Sequence, residues 1–352
     1  MLVNKRRTKG SEAAGALHPV QDVRIARLGP IPDLLRELQC DPDAVLASAG
    51  FDAGIFNQPD ALVPYRKAAG LLVACAEASR TPHFGLLLGA RFELSMLGVL
   101  EPLMRNCGNV RDALQQLVRH LHLNDRGAVA FLVELEHDEA ALGYSIYSSD
   151  IPGSEQVYDL VIATICGILH GLCGPSWQPR RIDFAHTAAL ELGPYHQYFH
   201  APLHFNAAHS QVVFAKRWLD LPLKGTDPSR LMAAKRMALQ AERAHDSHFI
   251  ERVRRCIQIL LMTGEVSSEA VCSRLGVHER VLRRHLCAEN TSIKRLIGQA
   301  RFDTACQLLG NTQLSAAEIS GSLGYSDVSA FSRAFRNWSG MPPTAWRNQT
   351  LR

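Results

Sequence analysis

Arginine recurs at matching positions in two similar segments near the C-terminus of the chain. Arg284 lies between two leucines spaced i, i+4, and Arg333, 49 residues further on, lies between two phenylalanines with the same spacing. Residues spaced i, i+4 share one side of a helix, so each arginine faces away from the apolar pair. A guanidinium group donates hydrogen bonds in pairs, which suits guanine O6 and N7 or a phosphate. The spacing therefore indicates two helices that can bind a nucleic acid.

The segments around these arginines form an internal repeat. Leu275-Gly276 and Leu323-Gly324 match at an offset of 48 residues, so the second turn is one residue longer than the first. In each copy a short helix precedes the Leu-Gly pair and a second helix follows it. Glycine allows the left-handed conformation that a sharp turn needs. Each copy is therefore predicted to be a helix-turn-helix unit, whose second helix can enter a major groove.

The helix starts and the segment between the copies support this prediction. Ser315 and Glu318 have the spacing of a capping box, and Ser267 or Ser268 caps the corresponding helix of the first copy. Between the copies, 293–309 has helical apolar spacing and is predicted to be one spacer helix. A single copy is equally compatible with a structural helical hairpin. Two copies held by one spacer helix favour DNA binding, with one chain reading two adjacent major grooves.

Charge and cysteine content narrow the class of protein. Residues 235–352 carry 17 Lys and Arg against 10 Asp and Glu, whereas 1–234 carry 21 against 24, so only the C-terminal part is basic. This asymmetry points to a polyanionic partner for that part alone. The nine cysteines lack CxxC or Cys/His spacing, which favours a reducing cytoplasm without disulfides or a structural metal. No phosphate-binding glycine loop or nucleophile elbow is present, so no cofactor, catalytic residue or enzymatic activity is predicted.

The rest of the chain has a different pattern. Helical spacing dominates residues 31–122, and 129–135 and 141–147 then read as an antiparallel hairpin. A long apolar helix follows at 154–173, and three short strands are expected at 181–184, 202–205 and 211–214. We interpret the 160–169 stripe as a core helix, although it can also serve as a dimerisation face. The predicted fold is mainly α, with an α+β N-terminal domain containing a small antiparallel sheet and an all-α C-terminal domain of two helix-turn-helix units joined by a spacer helix.

The chain divides into four predicted segments. Residues 1–20 form a basic tail that we expect to be disordered, and 21–219 form an effector-binding and dimerisation domain. The stretch beginning at Asp220 is rich in turn formers and opens a linker, 220–246, before the DNA-binding domain, 247–352.

From about Arg252 to Arg347 the sequence resembles the DNA-binding domain of AraC/XylS-type transcription regulators. The residues that carry this resemblance are Arg301, Ala305, Ile319, Leu323-Gly324-Tyr325, Phe331, Arg333, Phe335, Gly340, Pro343 and Arg347. Three positions depart from the family pattern. His278 stands where serine often caps the helix, Asn290 where glycine is common, and Pro342 where serine or threonine is usual. Asparagine tolerates the left-handed conformation, and none of the three removes a base-reading position.

The resemblance implies roles for individual residues. Base contact in the first unit falls to Arg280, Arg283 and Arg284. In the second unit it falls to Val328, Ser329 and Arg333, where valine offers only apolar contact, for example to a thymine methyl. Lys294 and Arg336 become candidates for phosphate contact. The arginine-rich first unit is expected to prefer a G-containing half-site, and the second unit to be more permissive.

The N-terminal half resembles the sensor domain of an AraC subgroup that includes regulators of ornithine use and of virulence genes. The matching stretches include 85–89, 98–103 and 109–114. The resemblance implies dimerisation or binding of a small organic effector. The candidate effector contacts are Arg105, His120, His122, Tyr144 and Tyr158.

Together these observations predict a cytoplasmic, homodimeric and effector-responsive activator that binds double-stranded promoter DNA and RNA polymerase, with no membrane partner. One alternative is that the N-terminal domain only dimerises or binds a protein partner. A second is an enzyme with a DNA-targeting tail, such as the alkyl-transfer repair proteins. Those need a zinc-held nucleophilic cysteine in a tight cluster, and the cysteines here are scattered.

Overall fold

The computed structural model describes residues 21–244 and 249–350. The predicted basic tail, 1–20, lies outside the described residues. The first described element is the short strand β1 (Asp22–Arg24). It pairs antiparallel with β2 (Leu62–Pro64), which follows later in the chain. The N-terminal helices are α1 (Ile31–Glu37), α2 (Pro42–Ser48), α3 (Tyr65–Ser79), α4 (Phe84–Gly89), α5 (Leu100–Arg105) and α6 (Val110–His120).

Two of these helices begin later than their apolar spacing predicts. The pattern from residue 61 predicts one helix, but 62–64 form β2, because the residue before Pro64 is pushed toward extended backbone. The apolar spacing that starts at residue 97 likewise predicts a helix, but the helix, α5, begins only at Leu100. Gly98 interrupts it with a φ of 56°, which is incompatible with right-handed helix.

A five-stranded sheet follows, as the alternating pattern predicts. Its strands are β3 (Ala128–Leu135), β4 (Glu139–Ile146), β5 (Arg181–Asp183), β6 (Leu203–His204) and β7 (Ser210–Ala215), in the order β3-β4-β7-β5-β6. All neighbours are antiparallel except β5 and β6. The predicted β3–β4 hairpin turns at His137 and Asp138, which both have positive φ, as a tight hairpin turn requires.

Helix α7 (Ser154–Cys173) packs between this sheet and the N-terminal helices, and α8 (Gly193–Phe199) precedes β6. By length and composition α7 resembles a membrane span, but 83% of its most apolar window is buried inside the protein. Helix α7 is therefore a core helix, as predicted.

Helix α4 lies unusually close to α7. A Cβ added to Gly85 would lie 2.1 Å from the carbonyl oxygen of Gln156, and one added to Gly89 would lie 2.3 Å from that of Leu160. Two glycines spaced i, i+4 therefore allow the two backbones to touch. This contact explains physically why glycine stands at both ends of the 85–89 segment.

We expect Gly89→Ala to lower the free energy of unfolding by about 2 kcal/mol, because the new methyl group must displace backbone. Gly70, inside α3, has nothing within 4 Å of its added Cβ. Gly70→Ala is therefore expected to stabilise by about 0.5–1 kcal/mol, the usual gain for alanine in a helix. Urea denaturation measures the change in the free energy of unfolding for each variant, and we expect these two changes to have opposite signs. A stabilising Gly89→Ala would contradict the close approach.

The remaining helices form the all-α C-terminal part. They are α9 (Pro228–Ala244), α10 (Phe249–Met262), α11 (Ser268–Leu275), α12 (Glu279–Ala288), α13 (Ile293–Asn311), α14 (Ala316–Ser322), α15 (Val328–Ser339) and α16 (Pro343–Thr350). The region predicted as a linker thus contains a helix, α9. The fold class predicted from the sequence is confirmed.

The buried side chains of the described residues fall into two clusters. The smaller cluster belongs to α10–α13 and includes Val271, Leu282, Leu286 and Leu296. The larger cluster runs from the N-terminal helices and the sheet through the second half of α13 to Phe331 and Phe335 of α15. The second half of α13 and α14–α15 therefore share a continuous core with the N-terminal part, whereas α11 and α12 pack in a core of their own.

Candidate nucleic-acid interface

The first helix-turn-helix unit consists of α11 and α12. The side chain of Ser267 accepts a hydrogen bond from the amide of Ala270 at 3.0 Å, which makes Ser267 the cap of α11. Gly276 ends α11 with a φ of 65°. Leu282 and Leu286 of α12 are buried. The predicted base-contacting side chains on the opposite face, Arg280, Arg283 and Arg284, are all exposed.

The second unit consists of α14 and α15. Ser315 and Glu318 form the predicted capping box, since the amide of Ser315 donates to Glu318 at 2.8 Å and the amide of Glu318 donates to the Ser315 hydroxyl at 3.3 Å. Gly324 adopts a φ of 70° in the turn. Phe331 and Phe335 are buried, and the exposed residues of α15 include the predicted contacts Val328, Ser329, Arg333 and Arg336.

The two recognition helices start differently. Asp327 caps α15, because its carboxylate accepts a hydrogen bond from the amide of Ala330 at 2.7 Å. His278 occupies the corresponding place before α12 and makes no side-chain cap bond. The sequence interpretation missed Asp327, although an aspartate directly before an amphipathic helix is a common cap signal. After α12, Asn290 adopts a φ of 52°, which confirms the expected left-handed conformation.

Helix α13 is the predicted spacer between the units. Its residues Leu296, Leu308 and Leu309 are buried, and Lys294 is exposed in its first turn. Two arginines of the family signature contact protein groups. The Arg301 guanidinium lies over the Tyr325 ring at 4.9 Å, and Arg347 donates to the carbonyl oxygens of Leu309 and Leu314 at 3.0 and 2.6 Å. Arg301 therefore ties the turn of the second unit to the spacer helix, and Arg347 ties α16 to the end of the spacer helix and to the loop that follows it.

The exposed arginines of the recognition helices are available to an anion. Within residues 21–244 and 249–350, none of them lies within ion-pair distance of a carboxylate. These unpaired arginines are Arg280, Arg283, Arg284, Arg333 and Arg336. Exposed, unpaired guanidinium groups on the second helix of each unit can reach bases and phosphates if that helix enters a major groove.

Asp303 of the spacer helix is largely buried. The Gln299 side-chain nitrogen donates to both of its carboxylate oxygens at 3.0 Å. Burial raises the pKa of Asp303 to about 7, and the hydrogen bond from Gln299 and the charge of Arg254 oppose this shift only in part. A carboxyl with a raised pKa binds its proton more tightly in the folded state. Its contribution to stability is therefore full below the unfolded pKa of about 4 and is lost as the pH rises toward 7.

We expect Asp303→Asn to be more stable than the parent chain at pH 8 by about 2 kcal/mol, because asparagine has no charge to bury. At pH 4, where Asp303 is protonated when folded, the difference should nearly vanish. Urea denaturation at both pH values measures the change. A stability difference of equal size at pH 4 and pH 8 would show that the ionisation of Asp303 does not cause it.

In the N-terminal part, the structure separates the predicted effector contacts into three places. Arg105 is exposed at the end of α5 and pairs with Glu101. The imidazoles of His120 and His122 lie 3.1 and 3.4 Å from Glu242 of α9. Hydrogen bonds from these two histidines hold the pKa of the Glu242 carboxyl well below its usual range, and burial lowers the pKa of His122.

The third place contains the two tyrosines. The rings of Tyr144 and Tyr158 pack edge to face with centroids 6.3 Å apart. Tyr144 lines two small cavities. One lies beside Arg27, Tyr65 and Leu160, and the other lies between the sheet and α13, where Tyr158 and Gln307 also line it. Each has room for about one water molecule.

A buried polar network that the sequence interpretation missed surrounds Tyr144. Asp125, which is fully buried, accepts hydrogen bonds from Arg27 at 2.6 Å and from the Tyr144 hydroxyl at 2.5 Å. The hydroxyls of Tyr65 and Tyr144 lie 2.8 Å apart. Burial and the nearby Asp125 charge raise the pKa of both tyrosines. Both phenols therefore stay neutral and hold the wall of the cavity through hydrogen bonds.

The fold and this surface define a DNA-binding protein with two helix-turn-helix units and an N-terminal α+β part. A family model described as the arabinose-binding domain of AraC transcription regulators matches residues 40–223, and a helix-turn-helix domain model matches residues 271–349. The chain therefore belongs to the AraC family of transcription regulators and is a DNA-binding transcriptional regulator.

Full-length relatives agree with this assignment. The chain is 28% identical to the HTH-type transcriptional regulator VirS of Mycobacterium tuberculosis over 326 residues, 92% of this chain and 96% of that one. It is 25% identical to the ornithine utilization regulator of Pseudomonas aeruginosa over 330 residues, again 92% and 96%. The crystal structure of the transcriptional regulator CdpR from Pseudomonas aeruginosa superposes with a TM-score of 0.48 at 20% identity, covering 92% of this chain and 98% of that one. Both VirS and the ornithine utilization regulator are named as regulators.

Proposed function

We propose that this protein is a cytoplasmic, effector-responsive activator that reads two adjacent major grooves with α12 and α15. One observation carries the proposal. The arginine faces of both helices are exposed, while the spacer helix between them is anchored in the N-terminal part. A rigid spacer fixes the separation of the recognition helices, and successive major grooves on one face of DNA lie about 34 Å apart. A homodimer bound in this way beside a promoter would recruit RNA polymerase.

We further propose a domain division with 21–219 as the sensor domain, 220–246 as the connection and 247–352 as the DNA-binding domain. Polar contacts between the first and last of these support coupling. Gln307 of α13 accepts a hydrogen bond from the Tyr158 hydroxyl at 3.0 Å and donates to the carbonyl oxygen of Ile146 at 2.9 Å. Asn311 donates to the Ser154 hydroxyl at 3.0 Å. Because both units pack on α13, a shift of Tyr158 would reach both.

The effector in this proposal is a small organic molecule. The N-terminal family model is described by arabinose binding, and one full-length relative is named for ornithine utilization. Of the candidate contacts, Tyr144 and Tyr158 are best placed, because they line cavities next to the spacer helix. His120 and His122 would act through Glu242 of α9. Arg105 stays a candidate on its exposed helix end.

Selection of DNA from a random-sequence library with the full chain tests the two-groove proposal. We expect a bipartite site whose two halves are centred about 10 base pairs apart, one helical turn. The half bound by α12 should be richer in guanine, because three arginines face it. Enrichment of a single short half-site would show that one unit alone reads DNA. Equal affinity losses for base changes across the two halves would contradict the asymmetry.

An alternative is that the N-terminal part only dimerises or binds a protein partner. The two cavities beside Tyr144 have room for about one water molecule each, so neither of them alone encloses an organic effector. Native mass spectrometry of the purified protein separates the two proposals. A co-purifying small molecule that denaturation releases supports the effector proposal. If protein from several growth media instead has the mass of a dimer with no bound small molecule, the alternative is supported.

A further inference from the structure

The outer face of α9 combines apolar and basic side chains in contact with solvent. Met232, Met237 and Leu239 are 58%, 53% and 51% exposed. They make up half of the large apolar side chains that are exposed in the described part of the chain; the others are Leu190, Val328 and Trp338. Exposed apolar side chains concentrated on one helix and rimmed by charge mark a protein-interaction surface.

Their spacing places most of them in one stripe. Met232, Arg236, Leu239 and Arg243 follow each other at intervals of four, three and four residues, so they lie on one side of a helix. Apolar and guanidinium side chains therefore alternate along about three turns. Because methionine is flexible and polarizable, it suits surfaces that adapt to a partner.

The opposite side of α9 is already occupied. Ala234 and Ala238 are buried, and the helix packs on α5. The start of the helix is tied down by Asp227, whose amide donates to Asn106 at 3.1 Å, and its end by Glu242, which His120 and His122 contact. The stripe is thus presented on a helix that is held in place before any partner arrives.

The charge of the outer face is one-sided. Lys235, Arg236 and Arg243 are exposed, and among the described residues none of them lies within ion-pair distance of a carboxylate. The one acidic residue of α9, Glu242, is turned toward the two histidines. A second copy of α9 would bring cations against cations. DNA phosphates would satisfy the cations but leave Met232 and Leu239 in water.

We propose that the outer face of α9 is a docking site for an acidic amphipathic helix of a partner protein. The apolar side of that helix would cover Met232 and Leu239, and its carboxylates would pair with Arg236 and Arg243, since arginine binds carboxylates through paired hydrogen bonds. This proposal is independent of base reading by α12 and α15, so the two can fail separately.

The test uses the full chain and fluorescein-labelled synthetic helices. One peptide carries leucines along one side and flanking glutamates, and its matched control carries lysines in place of the glutamates. By fluorescence anisotropy, the acidic peptide should bind and the basic one should not. Met232→Ser with Leu239→Ser, and separately Arg236→Glu with Arg243→Glu, should each weaken binding at least about tenfold. Leu190→Ser, which alters an exposed leucine elsewhere, should leave binding unchanged.

Three results would overturn the proposal. The first is equal binding of both peptides, or binding of the acidic peptide that the paired variants leave unaltered. The second is a change of oligomeric state in sedimentation velocity for the Met232 and Leu239 variant, which would show that the face contacts a second copy. The third is loss of DNA affinity in the Arg236 and Arg243 variant, which would place the face on DNA. Thermal melts of both variants verify that they fold.

Discussion

Replacing Arg284 and Arg333 together by alanine should abolish sequence-specific DNA binding and leave the fold intact. Both side chains are exposed on the outer faces of α12 and α15, so their removal costs little stability. A bidentate arginine–guanine contact is worth about 1–3 kcal/mol of discrimination. Each single variant should therefore lose roughly five- to 150-fold in affinity, and the double variant the product if the half-sites are independent. Gel-shift titration on the selected site measures this loss.

Two controls separate base reading from charge. Arg274→Ala removes an exposed arginine of α11 that is not on a recognition helix, and it should change affinity uniformly across sequences. Arg284→Lys keeps the charge and loses the planar fork, so it should relax specificity while keeping the salt dependence of binding. If the double variant bound the selected site as tightly as the parent chain, the two-helix interpretation would be wrong.

Replacing Asp125 by alanine should destabilise the sensor part by about 3–5 kcal/mol, the usual cost of leaving a buried charge without its partner. Asp125 is fully buried and satisfies both Arg27 and the Tyr144 hydroxyl. Its other oxygen accepts a hydrogen bond from the amide of Gly127 at 3.0 Å. All three donors lose their acceptor at once. Urea denaturation monitored by circular dichroism measures the loss.

The matched control is Asp60→Ala. Asp60 also pairs with an arginine, Arg24, at 2.6 Å, but its side chain is 86% exposed. Water and salt screen such a pair, so the expected loss is below about 1 kcal/mol. Similar losses for the two variants would mean that Arg27 finds another partner or water when Asp125 is absent.

The sequence predicted the elements whose signals are local. Each helix-turn-helix copy, the capping box of Ser315 and Glu318, the β3–β4 hairpin and the long helix α7 are each specified by residues that follow one another closely in the sequence. These confirmed features were enough to locate the two recognition helices in the sequence. The helix inside the predicted linker, α9, was missed because its turn-forming start masked the apolar spacing that follows.

What could not be predicted depends on pairs that are far apart in the chain. Asp125 and Arg27 are 98 residues apart, His120 and Glu242 are 122 apart, and Tyr158 and Gln307 are 149 apart. Each residue alone is an ordinary charged, aromatic or amide side chain. Only the packing of distant elements makes it a buried ion pair or a contact between the sensor and the spacer helix. The same holds for Gly85 and Gly89, whose neighbours on α7 lie about 70 residues away.

The unequal division of buried cores has a consequence for how the two repeats unfold. The first unit packs in a cluster with α10 and the start of α13, so we expect it to open and close as a separate cooperative unit. The second unit shares its cluster with the sensor part, so its amide hydrogens should exchange only when that larger body opens. Two copies of one sequence motif thus differ in autonomy. A chain shortened to the C-terminal part would keep the first copy ordered and leave the apolar flank of the second without its cover.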